Sequence, residues 1–308
     1  MHLPALELFA GLGGFAAAVA ESARVVAAYD QSGEARAVYG ANFPGTRLVA
    51  RNLDRVTPTA LAAHRADLWW LSPPCEPYTT RGARRDLDDA RARSLLAVLS
   101  AVAATRPAHV ALENVAGFVD SRARAHLLTT LAEAGYHVAE HLRCPTELGV
   151  PMRRPRYYLV ASQAPFAGAV PAARSLPPHL APSLAPLRPL AAWLDPAPDP
   201  ALAVPEAFAT RHARALHVLD PDEPGALASC FGSSYGHACH GAGSVLRTPS
   251  GLRFFSPAEM ARLLGLPEGF RFPATLPRAA RWRLLGNSLA VPMVRAVLAP
   301  LLAEVRES

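Results

Sequence analysis

The stretch ALELFAGLGGFAAAVAES, residues 5–22, decides the fold of this chain. Its first five residues, which end at Phe9, predict a buried β-strand, and the residues from Phe15 onward predict a helix. The glycines between them, at positions 11, 13 and 14, predict a tight loop that lets a ligand approach the backbone. A strand that runs through such a loop into a helix is the first unit of a nucleotide-binding α/β domain.

The first half of the chain repeats this alternation of short apolar runs and helical stretches. Further strands are predicted at 24–29, 66–71, 109–112 and 156–161, and further helices at 90–105 and 124–134. Strands separated by helices of this length imply a mostly parallel sheet that is covered on both faces. The predicted fold class is therefore α/β.

The composition changes after residue 164. Eleven of the 30 prolines lie between Pro165 and Pro205, which is too dense for regular helices or central strands. Histidine and glycine are frequent in 229–244, a pattern typical of turns and short strands. We therefore expect a sheet domain made of residues 1–164 and 281–308, and a smaller irregular domain made of residues 165–280.

Composition and charge restrict the class of protein. The 308 residues carry 31 basic and 25 acidic side chains, a net charge of +6, and all 31 basic residues are arginine. This balance suits an anionic partner, although a GC-rich coding sequence produces the same bias. No uncharged apolar run approaches the roughly 20 residues of a membrane span, and four cysteines without a CxxC pair are not a disulfide or zinc scaffold. We expect a cytoplasmic protein with no membrane partner and no metal.

Polar side chains end several predicted strands. Asp30 follows the second strand, Ser72-Pro73-Pro74-Cys75 follows the third, and Glu113-Asn114 follows the fourth. Because the carboxyl ends of parallel strands meet at one edge of a sheet, we expect these groups to lie together. Two prolines hold Cys75 in a loop, where a thiolate can act as a nucleophile. Taken singly, Glu113 is more compatible with a solvated strand end, whereas the strand-end setting of Cys75 favours a chemical role over that of a packed thiol.

The glycine loop indicates the class of cofactor. Ala16 stands where dinucleotide-binding loops have their third glycine. This difference argues against a dinucleotide pyrophosphate and favours an adenosyl ligand that has no phosphate. Asp30 is placed to hold the two hydroxyls of a ribose.

Taken in order, six short motifs resemble the cytosine-5 methyltransferases over nearly the whole chain. They are the glycine loop, the strand-end acid, Pro-Pro-Cys, Glu-Asn-Val, the Arg-x-Arg of residues 154–156 and the Gly-Asn-Ser of residues 286–288. The resemblance implies a Rossmann-like domain that binds S-adenosylmethionine, joined to a smaller target-recognition domain. It also implies transfer of a methyl group from S-adenosylmethionine to carbon 5 of cytosine.

The resemblance also implies roles for individual residues. Cys75 attacks carbon 6, Glu113 stabilises charge at N3 and the exocyclic amine, Arg154 donates to O2, and Arg156 matches the second arginine of its motif. The target base must be flipped out or already unstacked. The cofactor-binding positions are Phe9, Gly11, Gly13, Asp30, Asn52, Leu53, Asn287 and Ser288.

Within the family, CFGSSYG at 230–236 and GAGSVL at 241–246 are similar to the signature of the tRNA(Asp) cytosine-38 methyltransferase branch. The smaller domain is short for a reader of duplex DNA, and an anticodon loop presents bases that are already splayed. The resemblance thus implies a tRNA partner. The residues expected to contact it are the arginines Arg81, Arg84 and Arg85 and the stacking side chains Tyr235 and His237. Nearby aspartates make a merely solvated, charge-balanced loop an equal alternative for the arginines.

Four positions depart from the family pattern, among them Tyr78 in place of a phenylalanine and Met152 in place of a polar residue, and three alternative functions remain open. Glu76 replaces the usual glutamine and opposes thiolate formation unless it is paired, with Arg81 as the expected partner, and Gly232 replaces a threonine. The main alternative is a DNA cytosine-5 methyltransferase, either orphan or paired with a restriction enzyme. An inactive nucleic-acid-binding protein with the same fold is another. A dinucleotide-dependent oxidoreductase leaves Cys75 unexplained.

Overall fold

The computed structural model describes residues 2–79, 85–166, 185–237 and 241–307, with residues 303–307 described in backbone only. The contacts of the chain divide it into two compact units. The larger unit consists of Met1–Arg143, Pro155–Leu180 and Val294–Ser308, and the smaller one of Cys144–Arg154 and Ala181–Met293.

The strands and helices follow the chain in this order. The strands are β1 (Leu3–Leu8), β2 (Ala23–Tyr29), β3 (Arg47–Val49), β4 (Leu68–Leu71), β5 (His109–Val115), β6 (His137–Arg143), β7 (Met152–Arg153), β8 (Arg156–Ser162), β9 (His217–Leu219), β10 (Ala228–Ser229), β11 (Ser244–Thr248) and β12 (Gly251–Phe254). The helices are α1 (Gly14–Val19), α2 (Gly33–Asn42), α3 (Pro58–Ala62), α4 (Arg93–Thr105), α5 (Arg122–Glu133), α6 (Glu206–Arg211), α7 (Pro257–Leu263), α8 (Arg278–Gly286) and α9 (Val291–Glu307).

The larger unit is built on a seven-stranded sheet with the order β3-β2-β1-β4-β5-β8-β6. The strands β1 to β5 run parallel, and β8 lies antiparallel between β5 and β6. The strand order reverses between β1 and β4, and ligands bind at such a switch point, beyond the carboxyl ends of the strands. Because β8 runs the other way, its first residue, Arg156, lies at this same edge, opposite Val115. The predicted α/β, Rossmann-like sheet is confirmed.

The hydrophobic core of the larger unit lies beneath this edge. All four residues of β4 are buried, and the apolar side of α4 packs in the same core as Trp69 and Leu71. Burying one large apolar side chain contributes roughly 1.5–3 kcal/mol, so this core fixes the strands that carry the site. Two strand predictions need correction. Strand β5 continues to Val115, so Glu113 and Asn114 lie inside it, and β6 was not predicted, because its polar residues hide the pattern of a strand.

The smaller unit contains little regular structure in its described residues. It has a three-stranded sheet, β12-β11-β9, and a parallel pair, β10 and β7. Because β7 pairs with β10, Cys144–Arg154 belongs to this unit and not to the sheet domain, where the sequence placed it. Residues 281–293 also fall in the smaller unit. The observed division therefore differs from the predicted boundaries at 164 and 281.

One stretch among the described residues, Arg278–Leu302, is long and apolar enough by length and composition to cross a membrane. It contains α8 and most of α9, and 67% of its most apolar window is buried inside the protein. Core helices commonly pass the same test, so the stretch is weak support for a membrane segment.

Candidate active site

The glycine loop between β1 and α1 makes a tight turn. Phe9, Gly11 and Gly13 have φ angles of 62°, 55° and 94°, so three of five successive residues are left-handed. For Phe9 this conformation costs roughly 1–3 kcal/mol, and such strain concentrates at functional sites. A Cβ on Gly13 would lie 2.5 Å from the ring of Phe43, whereas one on Gly11 would meet no atom within 4 Å. The loop therefore packs closely at Gly13 and leaves open space at Gly11.

Asp30 is fixed at the end of β2 by backbone donors. Its Oδ2 accepts a hydrogen bond from the Gly11 N–H at 2.8 Å, and its Oδ1 accepts one from the Ser32 N–H at 2.8 Å. Each carboxylate oxygen keeps a further lone pair, which a ribose hydroxyl can use. The open space at Gly11 and this oriented carboxylate fit an adenosyl group.

The adenine-binding segment predicted at Asn52-Leu53 is only partly supported. Asn52 is exposed, and its Oδ1 accepts a hydrogen bond from the Asp54 N–H at 3.2 Å. Leu53 is 3% exposed and belongs to the hydrophobic core. The Leu53 side chain thus packs in the core, and its contact with the cofactor stays a prediction.

Glu7 is a polar residue of the site that sequence analysis missed. It lies on β1 and is 1% exposed, and the Tyr39 hydroxyl donates to its Oε2 at 2.7 Å. The nearby N–H groups of Phe15 and Ala16 lower its pKa, but its second oxygen, Oε1, is buried and has no hydrogen-bond partner among the described residues. Burial raises the pKa of Glu7 to about 8, with a smaller contribution from the charge of Asp30. One charged residue inside an otherwise apolar strand was the available signal.

The Cys75 loop is tied to both neighbouring strands. Ser72 donates its N–H to the Leu8 carbonyl at 3.2 Å, and its Oγ accepts from the Trp70 indole at 2.6 Å. The Asn114 side chain on β5 donates to the carbonyl of Pro73 at 3.2 Å. Cys75, a partly exposed cysteine that forms no disulfide, follows directly. The predicted setting of this thiol, in a loop at the end of a strand, is confirmed.

The turn after Cys75 packs against the segment that follows β5. The Tyr78 ring meets Phe118 edge to face, with centroids 4.9 Å apart, and Tyr78 is buried. A Cβ on Gly117 would lie 2.6 Å from the Tyr78 carbonyl oxygen, so only glycine permits this approach. The loop carrying Cys75 and the strand carrying Glu113 therefore form one packed piece.

Glu113 pairs with Arg156 at the edge of the sheet. The distance from Arg156 Nε to Glu113 Oε1 is 3.1 Å, and the two side chains are 12% and 10% exposed. Both are nearly buried, so their charges act in a low-dielectric setting and each orients the other. The pair follows from strand register, because Glu113 lies on β5 and Arg156 begins the neighbouring β8.

Arg154 does not occupy the place that the sequence assigned to it. Its guanidinium is 2% exposed and donates to Cys230 Sγ and to the carbonyls of Phe231, Gly286 and Ser288. All of these atoms belong to the smaller unit. The prediction that Arg154 donates to the cytosine carbonyl is therefore wrong for this structure, and Arg156 is the arginine beside Glu113.

Charged groups lie in the turn that follows Cys75 and in the turn packed against it. The turn at Glu76–Tyr78 packs against the turn at Ala90–Ala92, which contains Arg91. Asp89 binds Arg91 through two side-chain bonds of 2.9 and 2.7 Å, which hold the pKa of Asp89 well below its usual range. The charges of Glu76 and Cys75 both act on Arg91 and, after its bonds to Asp89, help to raise its pKa. Arg91 thus supplies positive charge near Glu76, whereas Arg81, the expected partner, lies outside the described residues.

The predicted RNA-contacting residues have different outcomes. Tyr235 is 2% exposed, and its hydroxyl donates to the Ser244 carbonyl at 2.7 Å and accepts from the Phe255 N–H at 2.9 Å. The prediction that Tyr235 stacks on a base is therefore wrong, because its ring belongs to the core of the smaller unit. His237 and Arg85 are exposed. Arg81 and Arg84 lie outside the described residues.

The Gly-Asn-Ser motif ends α8. Asn287 is exposed and caps the helix, and Ser288 is 7% exposed. The Ser288 hydroxyl is buried and has no hydrogen-bond partner among the described residues. An unsatisfied buried hydroxyl is costly, which is consistent with a polar ligand or water at this position.

Comparisons with known proteins agree with this geometry. The family described as C-5 cytosine-specific DNA methylase matches residues 3–177 and 227–302. The tRNA (cytosine(38)-C(5))-methyltransferases of Bos taurus and Homo sapiens are each 30% identical, over 96% of this chain and 98% of their own. The crystal structure of a Dnmt2 methyltransferase from S. pombe superposes with a TM-score of 0.85 at 25% identity, over the whole of both chains.

The family match covers well over half of the chain and includes the glycine loop, the Cys75 loop, the Glu113–Arg156 pair and the Gly-Asn-Ser motif. The fold neighbours share the same sheet architecture. The resemblance deduced from the six ordered motifs is thus confirmed, and the chain belongs to the C-5 cytosine-specific DNA methylase family.

Proposed function

We propose that this protein transfers a methyl group from S-adenosylmethionine to carbon 5 of cytosine in tRNA, at position 38 in the anticodon loop of tRNA(Asp). The observation that carries the proposal lies at the carboxyl edge of the sheet in the larger unit. There Asn114 binds the Cys75 loop to the strand that contains Glu113, and Glu113 pairs with Arg156. A nucleophile, an acid and a fixed cation at one edge suit addition to a pyrimidine ring.

The chemistry follows from the cytosine ring. Carbon 5 is a poor nucleophile until the Cys75 thiolate adds to carbon 6 and forms a C–S bond. The electron pair then shifts into the ring, where Glu113 stabilises it at N3 and the exocyclic amine. We assign the carbonyl O2 to Arg156, the arginine that pairs with Glu113. After carbon 5 has taken the methyl group, a base removes the proton from carbon 5 and Cys75 leaves as the thiolate.

S-adenosylmethionine supplies the methyl group as an activated electrophile. In the larger unit, Asp30 would hold the ribose, and the backbone at Phe9 and Gly11 would accommodate the methionine part. Ala16 stands where dinucleotide-binding loops have their third glycine, which favours an adenosyl ligand without a phosphate over a dinucleotide.

RNA is the preferred substrate for two reasons. The relatives from Bos taurus and Homo sapiens match this chain from end to end, and their names specify cytosine 38 of tRNA, whereas a relative from Dictyostelium discoideum of similar coverage is named a DNA methyltransferase. Arg85 of the larger unit is exposed, as is His237 of the smaller unit, and each side chain by itself suits a flexible loop whose bases are already unstacked. DNA is the second candidate, because the matching family is described by its DNA methylases.

One experiment separates the two substrates. Purified protein is incubated with labelled S-adenosylmethionine and either unmodified tRNA(Asp) or duplex DNA. We expect label in the tRNA alone, and none in tRNA whose cytosine 38 is replaced by uracil. Label in the DNA alone would refute the RNA proposal.

A second experiment tests the covalent step. RNA with 5-fluorocytosine at position 38 cannot release the enzyme after methylation, so a covalent complex should accumulate with the native protein and not with Cys75→Ala. Cys239→Ala, which removes another cysteine of the chain, is the matched control. Trapping by Cys75→Ala, or none by the native protein, would disprove the mechanism.

A further inference from the structure

The Arg154 side chain joins two segments of the smaller unit that are far apart in the chain. Its Nη1 donates to Cys230 Sγ at 3.2 Å and to the Phe231 carbonyl at 3.3 Å. Its Nη2 donates to the Gly286 carbonyl at 3.2 Å and to the Ser288 carbonyl. The guanidinium thus contacts Cys230–Phe231 through one nitrogen and Gly286–Ser288 through the other.

The backbone of Arg154 is held as firmly as its side chain. Its N–H donates to Cys144 Sγ at 3.3 Å. The two preceding residues form β7 and pair in register with β10, Met152 with Ala228 and Arg153 with Ser229. The arginine therefore projects from an anchored main chain, which lowers the entropy lost when its long side chain is ordered.

The two joined segments also touch each other directly. A Cβ on Gly286 would lie 2.4 Å from the carbonyl carbon and oxygen of Gly232 and 2.8 Å from the Ser233 nitrogen. No side chain can enter this contact, so the main chains meet. Arg154 bonds to residues on both sides of it, and the planar guanidinium, with several N–H donors, suits this task better than a lysine.

The guanidinium has no accessible donor left for a substrate. Both terminal nitrogens are bonded to atoms of the smaller unit, and the remaining N–H, on Nε, is buried and finds no partner among the described residues. Neutral carbonyls and a thiol satisfy this buried charge. Losing those acceptors would leave the charge buried and unpaired at a high energetic cost, so the contacts have a structural role.

We propose that Arg154 is a positioning residue, which holds the Cys230–Phe231 and Gly286–Ser288 segments in one fixed arrangement. This inference rests on the proposed function, because the first segment begins the RNA signature and the second contains Asn287 and Ser288, which the family resemblance assigns to the cofactor. The two arginines of the Arg-x-Arg motif then have separate tasks: Arg156 acts beside Glu113, and Arg154 holds the backbone that presents Asn287 and Ser288.

The test uses Arg154→Lys in the full-length protein, with Arg153→Lys as the matched control, since Arg153 is the exposed neighbour. Amide hydrogen exchange is followed by mass spectrometry in peptides that cover 229–233 and 286–290. Lysine cannot bridge both segments, so exchange in both peptides should rise about tenfold, as expected for the loss of hydrogen bonds to a charged group. Peptides from β1 and β4 should not change, and Arg153→Lys should change none of them.

A kinetic measurement distinguishes positioning from direct catalysis. For Arg154→Lys we expect S-adenosylhomocysteine to bind about tenfold more weakly and the KM for cofactor to rise, while kcat at saturation changes less than about threefold. Unchanged exchange with a large loss of kcat would overturn the proposal and place Arg154 at the reacting base. Faster exchange in only one of the two peptides would also overturn it.

A second variant keeps the proposal testable if Arg154→Lys fails to fold. Cys230→Ala removes a single hydrogen-bond acceptor from Arg154. Because the same guanidinium also binds Gly286 and Ser288, we expect faster exchange in the 286–290 peptide. No change in that peptide would contradict the tie. If the native protein fails to methylate any RNA, the proposed function fails, but the exchange results still decide the role of Arg154.

Discussion

Arg154 and Arg156 are separated by one proline, yet they serve different regions of the molecule. Arg156 begins a strand of the larger unit, and the register of β8 against β5 places it beside Glu113. Arg154 is buried in the smaller unit and bonds to four groups from two irregular segments. The larger unit thus positions polar groups by strand register, whereas the smaller unit, with few strands, positions its loops by side-chain hydrogen bonds.

The largest effect should come from Arg156. Arg156→Met removes the cation beside Glu113, and we expect kcat to fall about 10²- to 10³-fold, as for other groups that stabilise developing charge. The affinity for S-adenosylhomocysteine should stay the same, in contrast to Arg154→Lys. Single-turnover methyl transfer and calorimetry give the two values. A loss of less than tenfold would mean that Arg156 does not touch the base.

Two glycines test the packing of each region. Gly286→Ala in the smaller unit and Gly117→Ala in the larger unit force a Cβ to 2.4 and 2.6 Å from backbone atoms. We expect each to lower the free energy of unfolding by about 1–3 kcal/mol, measured by urea denaturation. Gly117→Ala should also slow alkylation of Cys75, because it displaces the Tyr78 carbonyl. Gly45→Ala, where a Cβ meets nothing within 4 Å, is the control.

Glu7 predicts how the stability of the larger unit depends on pH. Burial raises its pKa from 4.5 to about 8, so the folded protein keeps this proton to a higher pH than the unfolded chain does. Its contribution to stability is fully present below pH 4.5 and is lost as pH rises through about 8. Glu7→Gln should reduce the difference in unfolding free energy between pH 5.5 and pH 8.5. An unchanged difference would show that the native Glu7 is already ionised at pH 5.5.

The smallest effects should come from the exposed charges around Cys75. Because Glu76 disfavours the thiolate and Arg91 favours it, Glu76→Gln should speed covalent trapping about two- to fivefold, and Arg91→Gln should slow it by a similar factor. Both changes should shrink at high salt. Trapping rates that are the same in Glu76→Gln and the native protein would remove Glu76 as a cause of repulsion.

The sequence was a sufficient guide to the carboxyl edge of the sheet. The glycine loop, Asp30 and the Cys75 loop follow apolar runs directly, and parallel strands bring such positions together whatever their exact bounds. The sequence was a poor guide to β6, because polar residues interrupt its apolar ones and no regular apolar pattern is left to predict a strand. It also gave no sign that burial would raise the pKa of the lone glutamate of β1 to about 8.

Side-chain roles in the smaller unit could not be deduced from motifs. Tyr235 has the chemistry of a stacking residue, but its ring packs against Trp282, with centroids 5.4 Å apart, and its hydroxyl is satisfied internally. Arg154 carries the same charge as Arg156 and stands in the same motif. Whether a tyrosine or an arginine faces solvent or the interior depends on contacts with residues distant in the chain.

The amino-acid sequence by itself determined the fold class, the order of the motifs and the place of Cys75, because these depend on local periodicity and on glycines and prolines that act on the nearest backbone. Only the tertiary structure decided which arginine meets Glu113, why Tyr235 is unavailable to a base, and that Glu7 holds its proton to about pH 8. The physical reason is that burial and hydrogen-bond partners are properties of the assembled chain, and they set the charge state and task of a side chain.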